Sequence, residues 1–212
     1  MLHQADLHRH LGILRRRDKR ISSAIKLAGL PAARGMEPGF ASLIHIIVDQ
    51  QVSTAAGAAI WAKLKKAAGG RVSPRSLLTI GEKGLRASGM SGSKTRYALG
   101  LAEAATAKKL NLRALERADD AEVRATLTAF KGIGNWTADI YLLFGMGRPD
   151  VWPVGDLAIQ HAIRMLHELD EKPKADVCEA LGEPWRPYRS SAAIFLWHYF
   201  AHMRRNASKA AT

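Results

Sequence analysis

Apolar residues recur three and four positions apart along almost the whole chain, and strand-like alternation is scarce. Leu43, Ile46 and Ile47 form one such stripe, and Ala55, Ala58, Ala59, Trp61 and Leu64 form another. Positions at that spacing share one face of an α-helix, so the pattern confines the chain to an all-α fold. Helices are expected near 3–15, 19–28, 38–50, 53–68, 74–79, 81–87, 93–108, 112–116, 120–129, 135–146, 156–168, 175–181 and 188–204. Glycine and proline mark the joints, as at Pro31 to Gly39, Gly69-Gly70, Ser73-Pro74 and Gly145 to Pro153.

At 212 residues the chain is long enough to bury a real core. Lys+Arg 32 against Asp+Glu 19 gives a net charge of +13, a field that attracts polyanions and makes nucleic acid the first candidate partner. The densest basic run, "RRRDKR" at 15–20, fits a solvated helix end equally well. The single cysteine, Cys178, excludes an intrachain disulfide framework and a four-cysteine metal or iron-sulfur site built by this chain alone. No run of apolar residues is long enough to span a bilayer and the N-terminal turns are polar, so the expected location is the cytoplasm, without membrane contact.

One stretch departs from plain helical patterning: "FKGIGNWTADIYLLFGMGRPDVWPVGD", residues 130–156. A helix is expected to end near Phe130, Lys131-Gly132-Ile133-Gly134 to turn tightly, and a second helix to start at once. Glycine permits positive φ and lets a backbone come close, so the amides of this turn and of the next helix start can face a phosphate oxygen together. Backbone contacts of that kind position DNA without reading its sequence. The plain alternative is a helix corner with glycine as C-cap. Trp136, one turn before Ile140, is either a core aromatic or a stacking platform for an extruded base. Asp156 opens the next helix, where an N-cap is the ordinary use of an aspartate, and the apolar face beside it would also suit a working carboxylate. Asp49, Asp139 and Asp150 remain rivals on spacing alone.

Taken together, "LTAFKGIGNWTADIYLLFGMGRPDVWPVGDLAIQHAI" resembles the helix-hairpin-helix DNA glycosylase superfamily, and within it the DNA-3-methyladenine glycosylase II family that removes alkylated bases. "LIHIIVDQQVSTAAGAAIWAKL" at 43–64, "GMSGSKTRYALGLAEA" at 89–104 and "EPWRPYRSSAAIFLWHYF" at 183–200 fit the same family. The resemblance implies two helical lobes with a DNA-binding cleft between them, built as an N-terminal helical extension at 1–37, a glycosylase domain at 38–204 with its hairpin at 130–135, and a frayed tail at 205–212. It implies that Asp156 is catalytic and that Trp136, Trp197 and Ile140 form the base pocket. It implies a DNA-binding set of Gln50, Gln51, Lys131, Gly132, Ile133, Gly134 and Thr137, with Gln51 wedged into the gap left by a flipped nucleotide.

The same resemblance implies no organic cofactor and no catalytic metal, with at most a monovalent cation at the 131–134 hairpin. The partner is double-stranded DNA carrying damaged bases, met by a monomer. Relatives that also cut the strand carry a lysine where this chain has Trp136, so the expected chemistry ends at base removal. The competing readings are a glycosylase for oxidised or deaminated bases and a non-enzymatic helix-hairpin-helix grip.

Overall fold

The helical spacing becomes helix throughout the computed structural model, which describes residues 2–210. The chain opens with α1 (Gln4–Arg17) and α2 (Lys19–Ala28). It continues through α3 (Phe40–Asp49), α4 (Thr54–Ala67), α5 (Pro74–Ala87), α6 (Gly92–Thr106), α7 (Leu112–Leu115), α8 (Asp120–Thr128) and α9 (Asn135–Ile140). It closes with α10 (Leu157–Leu166), α11 (Ala175–Gly182) and α12 (Arg189–Ala210). Among the described residues no β-strand occurs, and no helix is long and apolar enough to cross a membrane.

The helices gather into two units that cut the chain differently from the expected 1–37 and 38–204 division: Met1–Gly35 joins Gly147–Thr212, and Met36–Met146 stands as the other. The physical reason lies in α1 and α2. Leu7, Leu11, Leu14 and Ile21 are fully buried, which two short helices cannot achieve alone, and both helices pack against α12. Asp18 caps α2 through Oδ1, accepting from Arg20 N at 2.8 Å, while its Oδ2 accepts from the buried Trp185 Nε1 at 3.0 Å. One short acid therefore ends one helix, starts the next and ties both to residue 185.

In the second unit the apolar stripe of α3, Leu43 to Val48, is 0–1% exposed, and α3 packs on α4, α6 and α9. A capping box of Ser73 and Ser76 with Pro74 in the first turn begins α5. The helices expected at 74–79 and 81–87 form one run kinked at Gly81, whose φ is 59°. The helix expected at 135–146 is α-helical only to Ile140 and continues as a π turn over Tyr141–Gly145.

The tail expected to fray at 205–212 instead continues α12 as far as Ala210. Alanine and lysine favour helix, and Asn206 and Ser208 bond one turn back to His202 and Arg204 O. Residues 211 and 212 lie outside the described residues.

Candidate active site and DNA grip

Asp119 starts α8 by accepting from Glu122 N at 2.8 Å, and the helix closes into a turn in which Ile133 N donates to Phe130 O at 3.2 Å. Ile133, 4% exposed, plugs the turn into the core, while Lys131 and Gly134 stay exposed. Gly132 sits at φ 89° with its Cα against the Tyr97 ring, so a Cβ there would enter the ring. Gly134 differs: a Cβ on it meets nothing within 4 Å, leaving open ground in front of the first α9 amides, which have no acceptor inside their own helix. Arg124 Nε and Asp139 Oδ1, 2.7 Å apart, staple the helices on either side of the turn.

The α3–α4 loop comes to this hairpin. Gln50 Nε2 donates to Gly132 O and to Thr137 Oγ1, both at 2.9 Å. Gln51 follows, exposed, with φ 51°. A cavity of about 540 Å³ opens beside them, lined by Gln51, Ser93, Lys94, Tyr97 and the Gly132–Gly134 turn. Two residues of the expected DNA-binding set are engaged within the protein: the Gln50 amide braces the hairpin, and the Thr137 hydroxyl, on a residue 2% exposed, is its partner. Ile140 is 6% exposed in the last turn of α9, and Trp136 is half-buried in the first.

At the hairpin, Gly132 O accepts from Gln50 Nε2 and Phe130 O accepts from Ile133 N. Among the described residues no group of three or more His, Cys, Asp or Glu side chains could hold a metal ion.

The other unit holds Asp156 at the mouth of α10. Its half-buried carboxylate accepts through Oδ1 from Ala158 N at 2.9 Å, Ile159 N at 3.0 Å and Trp197 Nε1 at 3.0 Å. Asp156 is thus an N-cap whose capping oxygen is also pinned by an indole from α12, which fixes the plane of the carboxylate. Trp197 is half-buried, so the indole lies at the surface.

The loop leading to Asp156 is held along its length. Ser190 Oγ accepts from Val151 N at 2.9 Å and donates to Arg148 O at 2.6 Å, and Trp152 Nε1 donates to Cys178 O at 2.9 Å. Arg189, its side chain 7% exposed, pairs with Asp150 through Nε at 2.9 Å and with Glu179 through Nη1 at 2.9 Å.

Asp150 answers two arginines, Asp139 answers Arg124, and Asp49 lies 3.7 Å from His45 Nε2. Asp156 differs in its place, opening α10 with a carboxylate that also accepts from an indole. Lys94, Ser190 and Arg189 carry no role legible from local sequence. All three lie inside motifs that carry the family resemblance, but these bonds reach partners 39 to 46 residues away.

A glycine hairpin braced from the α3–α4 loop, and a capping aspartate hydrogen-bonded to a tryptophan, define a helix-hairpin-helix protein of the base-excision type. The chain belongs to the HhH-GPD superfamily of base excision DNA repair proteins, whose family model matches residues 44–187. It is 31% identical over 161 residues to DNA-3-methyladenine glycosylase 1 of Schizosaccharomyces pombe, covering 74% of this chain and 71% of that one. It is 33% identical over 124 residues to YfjP of Bacillus subtilis, covering 58% of this chain and 43% of that protein, so it spans less than half of that relative's length. The solved structure of the S. pombe 3-methyladenine DNA glycosylase Mag1 in complex with abasic DNA superimposes with a TM-score of 0.81 at 29% identity, covering 90% of this chain and 94% of that one.

Proposed function

We propose that this chain is a monofunctional DNA glycosylase, acting as a monomer in the cytoplasm, that releases alkylated, positively charged purines such as 3-methyladenine from double-stranded DNA. The observation that carries it is the Trp197–Asp156 hydrogen bond, which joins in one unit the carboxylate that the sugar needs and an aromatic face that a cationic base favours. The names and the DNA-bound state of the relatives point the same way.

Breaking an N-glycosidic bond builds positive charge on the sugar, as in glycoside hydrolysis. A fixed carboxylate at Asp156 stabilises that charge and takes a proton from the attacking water. The water oxygen bonds to C1′, and the C1′–N bond breaks with its electron pair going to the base. A base that already carries a positive charge leaves neutral, so no second acid is required. Trp197 supplies an electron-rich face beside that carboxylate, and Trp136 in the other unit offers a second aromatic ring, a cation-π contact contributing about 0.5–2 kcal/mol. Gln51 fills the stack that the base vacates, and the Gly132–Gly134 amides take a backbone phosphate.

The test is mass spectrometry of the bases freed from methylated genomic DNA by wild type and by Asp156→Asn. Wild type should release 3-methyladenine and 7-methylguanine. Asp156→Asn should bind the same duplex and release neither. Oxidised or deaminated bases alone in the wild-type digest would replace the substrate assignment, and an absence of any freed base would leave a simple DNA grip.

A further inference from the structure

Lys94, the third residue of α6, stretches back to the end of α3, where Nζ donates to Val48 O at 2.7 Å and to Gln50 O at 2.6 Å. Carbonyls at a helix C-terminus have no donor within the helix, and on an exposed loop water satisfies them at little cost. A lysine doing so gives up hydration and rotamer freedom. Burial pulls the Lys94 ammonium below the ordinary lysine range, and Asp49 offsets part of that. Satisfying two carbonyls does not account for this expense, so the return lies in what those carbonyls hold.

They hold the residue that follows. Gln51 is exposed and sits at φ 51°, a region that non-glycine residues adopt only when their surroundings enforce it. Gln50 just before it is clamped at both ends: Lys94 grips its backbone carbonyl, and its side-chain amide grips Gly132 O and Thr137 Oγ1. The loop and the hairpin turn are thereby one rigid piece, with Gln51 as its projecting point.

We infer that Lys94 is a positioning residue for base extrusion: by anchoring Val48 O and Gln50 O it presents Gln51 in a fixed pose beside the phosphate-gripping turn. The inference rests on the proposed function, in which Gln51 fills the vacated stack. A loop backbone ordered on folding loses no further freedom when DNA arrives, so releasing the brace slows extrusion and leaves the phosphate grip intact.

The test is a double-mutant cycle on duplex carrying one alkylated base, with 2-aminopurine beside the lesion to report extrusion and single-turnover base release as the second signal. Lys94→Met and Gln51→Ala should each slow both signals about ten-fold, the scale of losing a charge-assisted hydrogen bond. The double variant should be no slower than Gln51→Ala, because the brace acts only through Gln51. Affinity for undamaged duplex should change less than about two-fold across the cycle, since the phosphate contacts that dominate it are untouched. Lys94→Arg, which keeps two donors, should recover most of the extrusion signal.

Multiplying effects in the double variant, or extrusion unchanged in Lys94→Met, would overturn the positioning role while leaving Gln51 in place. Wild-type behaviour of Gln51→Ala would instead sink the Gln51 reading itself, and the role of Lys94 with it. If Lys94→Met melts below the assay temperature, the same cycle run with Lys94→Gln, which reaches one carbonyl at most, decides between these outcomes.

Discussion

Trp197 Nε1 donates to Asp156 Oδ1 at 3.0 Å, on the same oxygen that caps α10 through Ala158 N and Ile159 N. In the proposed function, the indole offered to a cationic base thus also orients the carboxylate offered to its sugar. Trp197→Phe keeps a ring and deletes the donor. It should slow single-turnover base release about 10- to 100-fold, the range for a hydrogen bond to a charged group, and leave affinity for abasic duplex within about three-fold. Rates equal to wild type would mean that the bond does no positioning.

The two hairpin glycines should fail differently. Gly132→Ala forces a Cβ into the Tyr97 ring at a positive φ, so it should destabilise the fold by about 2 kcal/mol or more. Gly134→Ala has φ −97° and a Cβ that meets nothing within 4 Å. It should melt within about 2 °C of wild type yet bind duplex more weakly, because the methyl stands where a phosphate would approach. Thermal melts beside binding isotherms check the pair, and equal losses of stability would contradict the assigned geometry.

On the proposed reading, in which the resemblance sets Trp136 where strand-cutting relatives carry a lysine, the product should be an intact strand with an abasic site. A denaturing gel should show no break until alkali or heat is applied, and borohydride should trap no covalent adduct. Prompt cleavage with a trapped adduct would mean that another amine serves as nucleophile.

Stability should fall as pH drops through the histidine range. Burial is the leading cause that holds His10, His45 and His167 below the usual imidazole value, with Arg9 and Arg20 adding to it at His10 and His167. At His45, Asp49 opposes the burial and Lys65 adds to it. The unfolded chain takes up these protons near about pH 6.5 and the folded chain only at lower pH. Below that pH the unfolded state therefore binds more protons, and stability declines. His167 sharpens the effect, because its Nε2 is buried with no hydrogen-bond partner, so protonation adds a donor with no acceptor. Burial pushes the Asp49 carboxyl up, an opposing effect confined to the region near about pH 4. Melting temperatures measured from pH 7.5 to 5.5 should fall steadily, and a flat profile would contradict these burials.

Much of this molecule was legible in the chain because the signals were local. Apolar spacing marked the helices, Ser73-Pro74 marked a helix joint, and Asp156 before a helix start read as an ordinary N-cap. The break at Gly81 was anticipated at residue 80. Local signals also fell short: nothing near Thr137 in the chain announces that its side chain lies 2% exposed as a partner of Gln50. The polar tail at 205–210 reads as frayed, yet backbone propensity carries α12 through it.

The all-helical fold, the glycine turn before Trp136 and a capping aspartate at 156 follow from residues within a turn or two of one another, and so are legible in the chain. Packing alone sets α1 and α2 with the C-terminal helices, turns the Gln50 amide toward the hairpin, and brings Lys94 to Val48 O and Trp197 to Asp156. Those outcomes join residues separated by 87 positions for Gln50 and Thr137, 46 for Lys94 and Val48, and 41 for Trp197 and Asp156. Apolar spacing orients a helix face toward a core but does not specify which distant donor arrives at a given carbonyl. That pairing is set by how helices pack, where buried polar groups must find partners or cost stability.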